Sequence, residues 1–212
     1  MRKVKIVTLS GGYDSTGLLF WALGHPEWHV IAHHIELVNS ENRSLLELEA
    51  VKKIVNYCGV EYSRTRFENM DPVHFERDIV IVGFIGAIIA KSAFKKYKCI
   101  DRENPDVEVF TGGTLEDHCD EQIENMDGIG IKTKVFESMF AGWDSDPIPR
   151  LSIPFKDTPK AEVVKYIPKE LLQYIWTCRI PTRRNGTFVE CGDCIACYRK
   201  SHINFTEGIT TM

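Results

Sequence analysis

The chain has 212 residues, 43% of them apolar and 26% charged, the composition of an ordinary globular protein. That length buries a core without disulfide staples, which excludes small-scaffold architectures. Its 26 basic against 30 acidic residues leave a net charge of -4, which excludes the broad positive field of a non-specific nucleic-acid binder. The most apolar stretch, 79–90, is closed by Lys91 and falls short of the about 20 residues that a membrane span needs. A buried helix is expected there. The N-terminus, Met1-Arg2-Lys3-Val4-Lys5, runs into a short strand without an apolar export segment, so a cytoplasmic protein is expected. Seven cysteines in such a compartment favour thiols or metal over disulfides.

Strands and helices alternate along the chain, which predicts an α/β fold on a mainly parallel sheet. Residues 4–9 read as a short buried strand and 16–23 as the helix that follows, stopped at Gly24-His25-Pro26. A second strand is expected at 29–37. Residues 44–58 carry Leu45, Leu48, Val51, Ile54 and Val55 at helical spacing, with Gly59 as the stop. A third strand at 61–66 precedes a long helix from about 71 to 97, and 107–111 is the next strand, ending at Gly112-Gly113. A loop and one helix are expected within 115–142, and Ile153-Pro154-Phe155 leads into a helix at 160–166. Beyond 175, Cys, Gly and Arg replace apolar periodicity. Two units are therefore expected: a nucleotide-binding domain at 1–175 and a small C-terminal module at 176–212.

Ser10-Gly11-Gly12-Tyr13-Asp14-Ser15-Thr16 falls where the first strand turns into the first helix, the place where an open α/β sheet binds ligands. Glycines let backbone approach a phosphate, the helix start offers unpaired N–H groups, and Ser10, Ser15 and Thr16 add hydroxyls. The P-loop, which needs a Lys before its Ser or Thr, and the G-x-G-x-x-G dinucleotide fingerprint are both absent. An acid at Asp14 beside phosphates implies a Mg²⁺ nearby. The acidic run Glu116, Asp117, Asp120 and Glu121, with His118, follows the strand ending at Gly112-Gly113 and is expected at the same sheet edge. His33 and His34 are expected as packed strand histidines.

Cys191-x2-Cys194-x2-Cys197 places three thiols on one tight turn, with Cys178 upstream. Thiols so close in sequence pair poorly with one another but converge readily on one tetrahedral ion. Zinc is the first expectation. An iron–sulfur cluster is the second, although Tyr198, Arg199 and Lys200 stand where a further Cys and Pro would usually follow. Four thiolates leave zinc no open position, so its role would be structural, bringing Arg179, Arg183 and Arg184 near the site. Cys58, Cys99 and Cys119 read as ordinary thiols.

The loop resembles the S-G-G-x-D-S signature of the PP-loop ATP pyrophosphatases. Together with Cys-x12-Cys-x2-Cys-x2-Cys, with ECGDCIACYRK at 190–200, with TCR at 177–179 and with Pro154-Phe155 followed by TPKAE at 158–162, it resembles the 7-cyano-7-deazaguanine synthases. The chain departs from that family at 77–83, where the family carries G-R-N, and at 116–121, where a longer loop resembling D-x-S-G-Y-P-D-C-R is shortened.

The resemblance implies a Rossmann-like PP-loop sheet with a zinc module, binding ATP, Mg²⁺ and Zn²⁺. It assigns Ser10, Gly11, Gly12, Asp14, Ser15, Thr16 and, at the neighbouring strand end, Gly113 to the nucleotide, Asp14 and Lys160 to catalysis, and Cys178, Cys191, Cys194 and Cys197 to the metal. The activity it implies is ATP-dependent adenylation of 7-carboxy-7-deazaguanine and its conversion with ammonia to the nitrile, a step toward queuosine. The two departures keep open a changed acceptor, a deazaguanine carboxylate joined to a macromolecular amine in a phage or defence setting. A PP-loop enzyme acting on tRNA would call for an added RNA-binding domain or a basic face, which this composition does not provide. Family members dimerise, so a homodimer is expected, with Trp143 and Trp176 as contact candidates.

Overall fold

The computed structural model describes residues 3–38, 43–68, 78–100, 106–117, 128–143 and 148–203. Five parallel strands, β1 (Lys3–Thr8), β2 (Trp28–Leu37), β3 (Glu61–Phe67), β4 (Asp106–Thr111) and β5 (Arg150–Ser152), form one sheet in the order β3-β2-β1-β4-β5. Strand β1 lies at the centre, with Val4 opposite His29 on one side and Val107 on the other. Strands β2 and β4 flank it on opposite sides, so the strand order reverses between β1 and β4 and opens a crevice at their C-terminal ends.

Both faces of the sheet are covered, so β1 is buried from Val4 to Thr8, with Lys5 held inside it by a pair to Glu108 at 2.5 Å. Val7, Leu9, Val30, Ala32 and Phe110 pack with helices α1 (Tyr13–Leu23) and α2 (Ser44–Cys58) on one face. Val4, Ile6, Ile31, Val107 and Val109 pack on the other with α3 (Asp78–Ile100) and α4 (Gly128–Ser138). Gly59 closes α2 in the left-handed conformation, with φ 64°, as its position after the last apolar residue foretells. No helix among the described residues is long and apolar enough to cross a membrane. The apolar stretch of α3 is core: Ile81, Ile85, Ala87 and Ala90 are all buried.

Several elements differ from expectation. Helix α1 begins at Tyr13 rather than 16, so the glycine loop runs directly into its first turn. The long helix is seen from Asp78, its expected start at 71–77 lying outside the described residues. Strand β5 has three residues, too few to show a period. Helix α5 (Lys160–Val164) is likewise short and is followed by a 3-10 turn at Lys169–Tyr174.

Past residue 175 the chain forms a hairpin, β6 (Thr182–Arg184) with β7 (Thr187–Val189), and helix α6 (Ile195–Ser201). Asn185 at φ 50° and Gly186 at φ 82° make its two-residue turn, where left-handed residues match the strand twist. Ile203 belongs to the core cluster of α1 and α2. The Trp176 N–H donates to Gly11 O at 3.0 Å, so this segment is anchored against both the core and the glycine loop. The two tryptophans named as dimer candidates are engaged within the chain: Trp143 packs edge-on against Phe94 and Phe140, and the Trp176 indole N–H donates to Cys178 O at 3.0 Å.

Candidate active site and metal centre

The site begins with the turn out of β1. Gly11 has φ 82° and lies so close to α2 that a β-carbon there would come within 2.9 Å of Ala50 Cβ, so glycine is required both for conformation and for space. Hydrogen bonds among the hydroxyls set the rest of the loop: the Ser10 N–H donates to Ser15 Oγ at 3.1 Å, and the two serine hydroxyls meet at 3.0 Å. No side chain caps the N-terminus of α1. Its first N–H groups and positive dipole end therefore suit an anion.

This N-terminus opens into a cavity of about 300 Å³ at the β1–β4 crevice, lined by Ser10, Gly12, Asp14, Ser15, Thr111, Gly112 and Lys160, with Ile35, Leu37 and Val82 also on its wall. Lys160 Nζ is 2.9 Å from Asp14 Oδ2, the two side chains being 13% and 24% exposed. Burial pushes the Asp14 carboxyl above the usual range, against the pull of Lys160. Its Oδ1 is buried without a hydrogen-bond partner among the described residues, an oxygen suited to a hard cation. Two glycines bring the pair together. A β-carbon on Gly17 of α1 would lie 2.5 Å from Val163 O of α5, and one on Gly112 would lie 3.1 Å from Ser15 N.

Not every expected nucleotide residue faces this space. Gly113 is buried against Ile153, and it is Gly112 that lines the cavity. Thr16 is fully buried, and Gly11 shapes the loop from behind. His33 bonds Ser63 Oγ at 2.8 Å and Thr65 Oγ1 at 3.1 Å, and His34 bonds Leu9 O at 2.8 Å. Both are packed strand histidines. Arg179 lines the cavity, whereas Arg183 and Arg184 stand on the exposed hairpin.

The acidic run after β4 does reach the sheet edge. Glu116 accepts the Lys160 N–H with Oε1 at 2.9 Å and Oε2 at 3.0 Å. Asp117 receives the Thr114 N–H at 2.9 Å and pairs with Arg199 at 2.5 Å. Burial works against the Asp117 charge, but Lys160, the Thr114 N–H and Arg199 together hold its carboxyl below the usual range. His118, Cys119, Asp120 and Glu121 lie outside the described residues, as does the Cys99 side chain.

Sequence reasoning missed Arg199, which donates from α6 both to Asp117 and to Glu116 O, and Lys132 of α4, which also lines the cavity. Burial lowers the Lys132 ammonium, against the pull of Asp117. Lys132 had no signal in the sequence. Arg199 had a weak one, being two residues beyond a metal-type cysteine.

The four cysteines converge. Their Sγ atoms at Cys178, Cys191, Cys194 and Cys197 lie within 4.8 Å of one another, with 3.6 Å between Cys178 and Cys191 and 3.9 Å between Cys191 and Cys197. Thiolates at about 2.3 Å around one tetrahedral ion stand about 3.8 Å apart, so a single ion fits. Burial disfavours the Cys194 thiolate, yet the N–H groups of Arg179 and Cys197 and the neighbouring thiols bring it down to about 6, which suits a ligand. Cys58 is a half-buried free thiol away from this group.

No family model matches the chain, and no curated protein matches it. Solved structures similar to it include the U34-tRNA thiolase NcsA from Methanococcus maripaludis with its 4Fe-4S cluster, 20% identical over 94% of this chain at a TM-score of 0.44. Others are the predicted subunit of tRNA methyltransferase from Methanocaldococcus jannaschii (12% identical, 77% of this chain and 74% of that one, TM-score 0.37) and the NMN synthetase from Francisella tularensis (14% identical, 82% of each chain, TM-score 0.33). The chain spans 62% of the length of the thiolase.

Proposed function

We propose that the protein is an ATP-dependent carbon–nitrogen ligase that adenylates 7-carboxy-7-deazaguanine and, with ammonia, carries it to 7-cyano-7-deazaguanine. The observation that carries this reading is the Lys160–Asp14 pair at 2.9 Å beside the open N-terminus of α1. The N–H groups and the Ser10 and Ser15 hydroxyls would hold the ATP phosphates, and the base would lie toward Ile35, Leu37 and Val82. The identity of the acid comes from the motifs alone.

A carboxylate oxygen attacks the α-phosphorus, and the bond to the α,β-bridging oxygen breaks. Pyrophosphate leaves with the electron pair. Negative charge grows on the α-phosphoryl and leaving groups, and Lys160 with the loop N–H groups would stabilise it. Ammonia then attacks the acyl carbon, AMP departs, and a proton passes to solvent to leave the amide. A second ATP takes the amide oxygen in the same way, and loss of AMP and two protons leaves the nitrile. Asp14, with its unpartnered Oδ1, would hold the Mg²⁺ whose charge neutralises the polyphosphate. The four thiolates would hold Zn²⁺ as a closed structural site. Each thiolate of an iron–sulfur cube binds a different iron, which calls for wider spacing than that seen here.

The test is pyrophosphate release from ATP and Mg²⁺, with and without 7-carboxy-7-deazaguanine and an ammonium salt, with mass spectrometry of the product. A nitrile is the expected result. ATP binding without turnover of this acid would move the reading to a changed acceptor such as a macromolecular amine, and absence of ATP binding would overturn it.

A further inference from the structure

Strands β1 and β2 pair from Lys3 opposite Trp28 to Thr8 opposite His33, and the Leu9 N–H still donates to His33 O at 2.8 Å. A parallel ladder carried one step further would give the Leu9 carbonyl to the N–H of Ile35. It goes instead to the His34 side chain, with Nδ1 at 2.8 Å from Leu9 O. Side chains alternate along a strand, so His34 stands on the face of Val30 and Ala32, the face that carries α1 and α2. The ladder therefore ends at Leu9 with the last carbonyl drawn toward that face, and the next residue is Ser10 of the glycine loop. The imidazole makes no other hydrogen bond among the described residues: it is fully buried, and its Nε2 has no partner there. A carbonyl only accepts, so Nδ1 carries the proton. Burial, outweighing the Leu9 carbonyl and Glu36, lowers the pKa of the ring and keeps it neutral. The unmade bond at Nε2 costs stability, which makes this histidine a poor filler of space.

We propose that His34 is a positioning residue for phosphate binding, which fixes the Leu9 carbonyl and through it the place of Ser10 at the N-terminus of α1. Further along, the loop is set by its own contacts. The Ser10 N–H donates to Ser15 Oγ at 3.1 Å, the two serine hydroxyls meet at 3.0 Å, and Gly11 is wedged against Ala50 with its carbonyl held by the Trp176 N–H. At its root the carbonyl depends on one imidazole N–H. Without that donor the Leu9 carbonyl would return to the ladder at Ile35, extending the sheet by one bond and drawing Ser10 away from the cavity it lines. A group that meets phosphate must be held to within a fraction of an ångström to act, so the loss falls on phosphate rather than on the nucleoside. The inference rests on the phosphate site of the ligase reading and not on the identity of the acid.

The experiment is calorimetric binding of inorganic pyrophosphate, ATP and adenosine, each with Mg²⁺, to the metal-loaded full chain and to its His34→Asn, His34→Gln and His34→Leu variants. An Asn amide brings its N–H near the position of Nδ1 and a Gln amide near that of Nε2, so these two differ in where the donor lies. His34→Gln and His34→Leu are expected to bind pyrophosphate and ATP about tenfold more weakly, the scale of one hydrogen bond, with adenosine affinity unmoved. His34→Asn is expected to recover most of the parent affinity. Melting temperatures are measured beside the affinities, because a histidine that only supports the fold would lower Tm in all three variants and leave the pyrophosphate affinity of the folded protein where it was. That result, equal pyrophosphate affinities in His34→Asn and His34→Gln, or a loss of adenosine binding as large as the loss of pyrophosphate, would overturn the positioning role. If His34→Leu does not fold, the contrast between the Asn and Gln variants decides. ATP binding by the parent protein without turnover of 7-carboxy-7-deazaguanine would overturn the ligase reading, while the same variants still decide the role of His34. A parent protein that binds neither pyrophosphate nor ATP would overturn both.

Discussion

Lys160 Nζ and Asp14 Oδ2 meet at 2.9 Å across 146 residues of chain. The contact joins the first turn of α1 to the first residue of α5, with the two side chains 24% and 13% exposed. An ion pair so placed is weak evidence for stability but strong evidence for a site that manages charge. Lys160→Met is expected to lower pyrophosphate release by about 100- to 1000-fold, the usual loss for one preorganised group facing developing charge. It is also expected to destabilise the fold by about 3 kcal/mol, because Asp14 stays buried without its partner. The double variant Lys160→Met/Asp14→Asn should regain most of that stability and none of the turnover. Chemical denaturation beside a pyrophosphate assay separates the two effects, and a double variant as unstable as the single one would mean the pair is not coupled as described.

Arg199 ties the four-cysteine segment to the same site. It follows Cys197 by two residues, pairs with Asp117 at 2.5 Å and donates to Glu116 O at 3.0 Å, while the Glu116 carboxylate holds the Lys160 N–H. The segment 114–117 is thus held from both sides. Arg199→Met should lower turnover at least tenfold with full metal content. It should also make ATP bind more weakly, since Asp117 loses a cation and adds unbalanced negative charge to the phosphate pocket. Metal analysis with ATP calorimetry checks this, and unchanged ATP affinity would show that the clamp does not reach the phosphates.

A metal held by Cys178, Cys191, Cys194 and Cys197 would join two stretches of chain, and without it the freed thiols take up protons and that link is lost. Removing the metal with a chelator, or replacing Cys194 with Ser, should lower metal content and reduce Tm by more than about 5 °C. Ile203 and Trp176 carry the loss into the body of the protein, Ile203 through its place in the main core and Trp176 through its bond to Gly11 O. Full metal content with unchanged melting in Cys194→Ser would remove Cys194 from the ligand set.

The parts of this site that could be read in sequence are those written over a few neighbouring residues. Ser10 to Thr16 and the three cysteines from 191 to 197 are local devices, because a turn and a chelate each need residue types at fixed short spacing. Strand alternation and the Gly59 stop were legible for the same reason. The rest depends on folding. Glu116 acquires a role because α5 begins beside it, and Arg199 because α6 turns it toward Asp117, contacts that join residues 44 and 82 positions apart. Gly112 and Gly113 are indistinguishable in the sequence, where both follow the same strand. Both follow the last residue of β4, Thr111, and only the folded turn puts Gly112 on the crevice and Gly113 against Ile153.

Gly17 shows how such tertiary demand hides in a helix. In TGLLFWAL it reads as a mild weakness, yet its missing β-carbon is what lets α1 lie against Val163. Gly17→Ala is expected to cost about 1–3 kcal/mol despite the better helix propensity of alanine. It should also cut turnover more than ATP binding, since moving α5 displaces Lys160 while leaving the α1 N–H groups in place. A shifted denaturation midpoint with unchanged turnover would mean that α5 yields without moving its first residue.

His33 supplies a dependence on pH that belongs to the fold rather than to catalysis. Burial, reinforced by the neighbouring His34, brings its imidazole down to about 4, while its two nitrogens are engaged by Ser63 and Thr65. A free imidazole takes its proton near 6.5. Between those values the unfolded chain binds a proton that the folded one refuses, so stability falls as the pH drops from about 6.5 to 4 and levels off below. The full span amounts to about 3 kcal/mol. Urea midpoints measured between pH 7 and pH 5, above the range of ordinary carboxylates, isolate this contribution. His33→Asn should flatten the slope and leave the part carried by His34, whose imidazole burial also lowers. A slope as steep in His33→Asn as in the parent protein would assign the proton to another group.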